Sequence, residues 1–383
     1  MKLSFLSIRS ARPPWGAFAI IGFLAAILGP EGGHAQAVTA RNVPFDPICS
    51  RCTITSHSTI NLQLPNDTSD QFPIRVRIDS KGRYWVFRRQ NLALVFDHEG
   101  RLIQELGPRG LGLGEYLTPY DAAIVPPDSV LVFDALAERA TLLGPGLAPA
   151  RYIGMPVALS SPLILSWPDF LVASANISTP ASAGWPLHTV KVAAGAFVVS
   201  NSFGSGDGTL VPHSAPGGRV LLGISQRPGF WSAGAYGDIV AQWSLRADVL
   251  REFRIKHPDG QIRVASTQRN WRSEPPPPVT VSVAEDHRGL LWRLVLIPRP
   301  DWQDAYSAVP LNLSEAPASI VKVHVLFRTM IEVLDPSRSR VVARQIVDDY
   351  AINMLPGNRV ALIRAIKENP TSLSISRLNL VGW

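Results

Sequence analysis

Apolar residues come in short runs along the chain, and polar turns separate them. Ile74 to Ile78 and Val279 to Val283 are β-rich runs, and each is followed by the same polar phrase. The first is Asp79-Ser80-Lys81-Gly82-Arg83-Tyr84-Trp85 and the second is Asp286-His287-Arg288-Gly289-Leu290-Leu291-Trp292. A glycine after a short polar turn permits positive φ in a hairpin, and an aromatic residue three positions on packs between sheets. Both phrases therefore predict a strand, a tight turn and a second strand. A looser strand-turn-strand pattern follows them, as Leu94-Val95-Phe96-Asp97-His98-Glu99-Gly100-Arg101-Leu102-Ile103 and as Ile331 to Arg338 before Val341-Val342. A weaker copy is Ile239 to Trp243 before Val249-Leu250.

Two such hairpins in succession make a four-stranded unit. Turns that start one fall near Ser80, Asp128, Pro168, Gly217, Asp286 and Gly357. These six starts predict an all-β chain, a six-bladed β-propeller of four-stranded antiparallel blades over residues 60–383, with five or seven blades as the alternatives. A ring leaves no free sheet edge if its ends are joined, and Ile60 to Leu64 is expected to pair with a last blade spanning Val360 to Leu380.

Composition narrows the class further. The chain has 383 residues, 46% hydrophobic and 17% charged, with a mean hydropathy of +0.11. That is too apolar for a disordered chain. The 33 Pro and 29 Gly follow no three-residue period and would break any long helix, which excludes collagen and coiled coil.

The first 37 residues read as an export signal. Lys2, Arg9 and Arg12 precede an uncharged apolar run from Trp15 to Leu28, and Ala35-Gln36-Ala37 supplies small residues for cleavage after Ala37. A 14-residue helix rises about 21 Å, short of a hydrocarbon core of about 30 Å, so a membrane anchor is disfavoured. The expected mature protein is periplasmic or extracellular, monomeric and without a further membrane span. Loss of Lys2, Arg9, Arg12 and Glu31 takes the formal charge from +7 to +5. The 31 Arg, against six Lys, are scattered and form no nucleic-acid footprint.

Residues 38–59 form an N-terminal segment carrying Cys49-Ser50-Arg51-Cys52. In an oxidising compartment a pair at this spacing closes a local disulfide, here at the entry to the first strand. Thr53 stands where a haem-attachment motif needs His, no second ligand pair for zinc lies nearby, and the extended sequence that follows does not suit a thioredoxin-like centre.

Gly107-Pro108-Arg109-Gly110-Leu111-Gly112-Leu113-Gly114-Glu115-Tyr116, followed by Pro119, resembles the G-x-x-G-x-G-P-G-E-F loop of bacterial six-bladed β-propeller proteins related to the NHL-repeat class. The phrases around Trp85 and Phe96 agree, as does Leu355-Pro356-Gly357-Asn358-Arg359-Val360-Ala361-Leu362. The resemblance covers Phe72 to Phe133 and Thr280 to Leu380, with Leu113 in place of the usual Pro and Tyr116 in place of the usual Phe. It implies an exported protein, in a family whose members mostly have no assigned reaction.

Chemistry is sparse. The glycine-rich loop lacks the Gly-Lys-Ser/Thr of a phosphate-binding loop, and Pro119 blocks an early helix, so an inter-blade connection is expected. No H-E-x-x-H, no histidine pair at metal spacing and no G-x-S-x-G elbow occurs. No metal or cofactor is expected; calcium is the one alternative, with Glu115, Asn201 and Asn353 as its conceivable ligands by analogy with six-bladed lactonases. Of the tryptophans, Trp85, Trp231, Trp243 and Trp292 are expected to pack between blades, and Trp302, in an insertion running to about Ala318, to be available for binding. The expected activity is binding or scaffolding at a channel mouth built by inter-blade loops and lined by Arg109, Glu115, Tyr116 and Asp121. The partner would be a small molecule, a glycan or an envelope protein, and the competing class is a calcium-dependent lactonase or a lyase.

Overall fold

The chain divides into two units, Met1–Ala37 and Val38–Trp383. The computed structural model describes residues 39–65, 73–88, 93–155, 159–175, 185–204, 220–255, 275–307, 325–364 and 372–383, all in the second unit. The expected export signal, the expected blade start at Gly217 and most of the insertion after Trp302 lie outside the described residues.

The protein is a β-propeller. Its described strands form three four-stranded sheets, one of five and one of eight, and these divide into four-stranded antiparallel blades, the eight-stranded sheet being two blades joined by a parallel Gly154↔Ala196 pairing. The first blade is Pro73–Ile78, Tyr84–Arg88, Ala93–Phe96 and Leu102–Glu105, and the second is Pro119–Val125, Ser129–Asp134, Arg139–Leu143 and Pro149–Gly154. The third is Ser160–Ser166, Phe170–Ser174, Leu187–Ala193 and Ala196–Phe203; the fourth is Val220–Ile224, Phe230–Gly234, Ile239–Trp243 and Val249–Ile255. The fifth is Val279–Glu285, Leu291–Pro298, Phe327–Asp335 and Arg340–Val347, with a short helix, Trp302–Ser307, between its second and third strands. The sixth takes Tyr350–Leu355, Arg359–Arg364 and Ser372–Val381 from the end of the chain and Thr53–Leu62 from its beginning. The closing strand pairs antiparallel with Ser372–Val381 from Thr53↔Val381 to Leu62↔Leu373, so it starts seven residues before Ile60 and crosses the boundary expected there.

The first strands of successive blades are neighbours all the way round, and the sixth returns to the first. The hydrophobic core accordingly lies in the seams. Trp85, Phe87 and Val95 of the first blade pack on Ala122, Val130 and Val132 of the second, and equivalent clusters fill the other five seams. Each seam also carries a polar tie. Arg77 binds Asp121, the Tyr120 hydroxyl donates to Leu159 O, and Val220 N donates to Ser174 Oγ at 3.4 Å. Trp231 Nε1 donates to Glu285 Oε2 at 2.8 Å and Met354 N to Ser282 Oγ at 3.0 Å, while Asn353 spends its amide on Val76 N and O, both at 3.0 Å. At Gly223 a side chain would meet Val283 O within 2.2 Å, so glycine is what lets the fourth and fifth first strands approach.

The repeated D-x-x-G-x-x-W phrase is one hydrogen-bonded device. Asp79 Oδ1 accepts from Lys81 N and Arg83 N at 3.0 Å each, and Oδ2 accepts from Trp85 Nε1 at 3.0 Å. Asp286 does the same with Arg288 N, Leu290 N and Trp292 Nε1, and Gly82 and Gly289 both sit at φ +76°. The aspartate closes the turn and fixes a fully buried indole in one act. The fourth blade departs from this pattern. Its first turn is 225–229, where Ser225 takes the place of the aspartate and accepts from Arg227 N.

Before its closing strand, the chain runs along two other blades. Arg41–Val43 pairs parallel with the outer strand of the fourth blade, then Ile48 N and Cys49 N donate to Val341 O and Val342 O of the fifth at 3.0 and 3.4 Å. The Cys49–Cys52 disulfide ends this strap just before Thr53.

Candidate axial cavity

The six first strands surround a cavity of about 310 Å³, at the small end of the range for ligand pockets. Its wall comes from those strands, through residues such as Ala122 to Ile124, Ser161 to Ile164, Leu221 to Ile224 and Asn353 to Leu355. Its exposed rim is formed by first turns, through Gln226, His287, Pro356 and Gly357. Inter-blade connections enter each first strand at the opposite end. Among the described residues, the exposed rim therefore lies on the first-turn face.

Most of the expected residues sit apart from this cavity. The loop 107–116 lies over the outer strands of the second blade, where Arg139 donates to Leu111 O, to Gly112 O and to Glu115 O while stacking on Tyr152 at 4.0 Å. Arg109 is exposed in that loop, and Glu115 Oε2 accepts from Gly112 N at 2.6 Å. Tyr116 is buried in the seam between the first and second blades, and burial pushes its phenol up to about 12. Trp302 is buried in the short helix. None of these four lines the cavity. A connection that must climb from an outer strand to the next inner one is held against the blade's outside, so its conspicuous residues serve the crossing. Nor are Glu115, Asn201 and Asn353 brought together: they lie on a loop, an outer strand and a first strand, and Asn353 is committed to Val76 and Met354. Among the described residues, no group of three or more His, Cys, Asp or Glu is arranged to hold a metal ion.

Asp121 is the expected residue that does stand beside the cavity. It is buried behind the wall and receives Arg77 Nε and Nη2 at 2.8 Å each. Arg75 meets the same carboxylate as an ion pair at 3.5 Å, with no hydrogen bond from its guanidinium to any described residue. Burial pushes the Asp121 carboxyl above its usual range, with the Arg77 guanidinium pulling the other way. Both arginines line the cavity. So does Ser161, which is buried at φ +49° with a hydroxyl that has no hydrogen-bond partner. On the fifth blade the acidic groups are already occupied. Glu285 Oε2 accepts from Ser225, Gln226 and Trp231, and Asp286 is spent on its own turn and Trp292.

The residues that line this wall were missed in the sequence because they come from strands up to 280 positions apart. The one local signal is the arginine pair in Pro73-Ile74-Arg75-Val76-Arg77-Ile78, two long cations at alternate positions of a strand that the ring turns inward.

No family model matches the sequence, and no curated protein matches it. Solved structures do resemble it. A member of the duf4221 family from Bacteroides vulgatus superposes with a TM-score of 0.58 at 10% identity, over 86% of this chain and 98% of that one. A putative exported protein from Bacteroides fragilis gives 0.53 at 9% identity, over 89% and 99% respectively. At these identities the likeness is one of fold.

Proposed function

We propose that this protein is an exported six-bladed propeller that acts as a binding module, with its ligand seat in the axial cavity at the first-turn face. The observation that carries this is the ring of first strands enclosing a partly polar cavity with an exposed rim, whose arginines and serine keep donors unspent among the described residues. A rigid ring whose seams are each tied and packed offers a preformed seat, which lowers the ordering cost of binding. Export is supported by the basic, apolar and small-residue succession at the N-terminus and by the disulfide.

Ile224 lines the cavity and is half exposed, so Ile224→Trp should crowd the opening without touching a seam. Ligand-observed NMR with a small-fragment set on the wild-type protein should give hits that this variant loses. Hits that survive the substitution unchanged would place the seat elsewhere and defeat the reading.

A further inference from the structure

The geometry points to a small carboxylate-bearing molecule as the ligand class of the axial cavity, its carboxylate held by Arg75 and Arg77 with Ser161 as an added donor. This rests on the cavity being the ligand seat, as proposed above.

Two guanidinium groups share the single Asp121 carboxylate, which leaves the cluster a net charge of +1 when all three are ionised. Each guanidinium has five N–H donors. Arg77 directs two of them to Asp121, and the Arg75 guanidinium makes no hydrogen bond to a described residue. A buried cation with donors left over is costly unless water or a ligand oxygen takes them. Ser161 supplies an independent sign of the same shortage. Its hydroxyl is enclosed in the third blade's share of the wall and unpartnered, while its backbone is held at an unusual positive φ. The donors come from the first and third blades, flanking Asp121 on the second.

Glu285 and Asp286 line the opposite wall, so an anion is placed away from them, at the arginines. Glu285 Oε2 and both Asp286 oxygens accept from backbone, serine and indole donors that fix the fourth and fifth blades. The remaining lining is largely aliphatic, including Ala123, Ile164, Leu222, Val281 and Leu355. A charged head at the arginine wall with a compact apolar body suits both parts. Planar carboxylates match a guanidinium in a two-point geometry that a neutral amide does not.

The test is isothermal titration of the wild-type protein with matched pairs, benzoate against benzamide and succinate against succinamide, with inorganic phosphate as a further arm. Saturable one-to-one binding of at least one carboxylate, about tenfold or more tighter than its amide, is expected. Arg75→Gln should weaken it by about tenfold or more, and Ser161→Ala, which leaves every ion pair intact, by about two- to tenfold. Circular dichroism of each variant confirms folding, and the serine variant keeps the test decisive if the arginine variant does not fold. Carboxylates and amides binding alike, lost in Ile224→Trp but indifferent to Ser161→Ala and Arg75→Gln, would overturn the ligand class and leave the cavity reading standing. Phosphate binding with the carboxylates silent would also overturn the class. No binding by any probe, with no hit in the fragment set, would overturn both.

Discussion

Two clusters in this protein are built from the same three parts, an acid between two arginines, and they behave in opposite ways. In the fifth blade, Arg293, Glu332 and Arg344 are directly opposite one another on three adjacent strands. Glu332 Oε2 accepts from Arg293 Nε at 2.7 Å and Oε1 from Arg344 Nε at 2.8 Å. Arg344 also donates to Phe45 O at 2.9 Å and lies 3.6 Å over the Phe45 ring, which fastens the strap to the blade. Burial would raise the Glu332 carboxyl, but the two guanidinium groups outweigh it and hold it below its usual range. At the cavity, one arginine is well bonded to Asp121 and the other is not, and burial prevails. Charge count is equal in the two places; what differs is that both arginines hydrogen-bond Glu332, whereas Asp121 is hydrogen-bonded by Arg77 and by Ala122 N. A closed cluster holds structure together, whereas an open one keeps capacity for something else.

Breaking the closed cluster should have the largest effect. Glu332→Gln leaves two buried cations without their anion and should cost about 3–5 kcal/mol, read as a lower urea midpoint. The folded-state value of Glu332 lies below its unfolded value of about 4.3, so its contribution is complete above that pH and is lost as pH falls through the folded value. The gap between wild type and Glu332→Gln should therefore narrow in urea titrations carried below about pH 4.

A smaller effect should come from the strap's own tie. Reducing Cys49–Cys52 removes a very short loop constraint, worth about 2 kcal/mol on chain-entropy arguments. Thermal unfolding with and without a reductant should show that loss, while benzoate affinity stays the same, because the strap runs along outer strands and the arginine wall does not depend on it. A parallel fall in affinity would show that the two regions are not separate.

The smallest stability change is expected at the open cluster. Asp121 has a folded-state value above its unfolded one, so its ionised form weakens the fold as pH rises through the folded value. Asp121→Asn should consequently cost less at pH 7 than Glu332→Gln, because ionising the buried Asp121 carboxyl already works against burial. It should also tighten benzoate binding by removing the competing anion. A loss comparable to that of Glu332→Gln would erase the distinction drawn between the clusters.

The sequence made the hairpins legible where the chemistry is local. Asp79, Gly82 and Trp85 lie within seven positions and close one turn, so their pattern survives intact at Asp286, Gly289 and Trp292. In the fourth blade the Ile239 to Trp243 strand was legible but the first turn was not, because Ser225 closes it in place of an aspartate and serine before a polar stretch is not distinctive. The closing strand was visible in outline, since its partner is an equally β-rich run. The cavity was not. The loop around Arg109 and Glu115 drew attention through its glycines, which mark a crossing; Asp121 was named with that loop, while Arg75 and Ser161 each look ordinary in their own strand. Their meaning comes from a ring that sets three separate strands side by side.

The sixth blade has a consequence for the order of assembly. Thr53–Leu62 leaves the ribosome long before its partner Ser372–Val381. Until those final residues arrive, a ten-residue strand has one edge it cannot satisfy, and the ring stays an open arc with an unprotected seam at each end. Five blades can pack one upon another during synthesis, but the cavity gains its full wall at the moment the two ends of the chain meet. Any molecule seated there before that point would have to bind an incomplete rim, so ligand occupancy should report on chains whose Ser372–Val381 strand has been made.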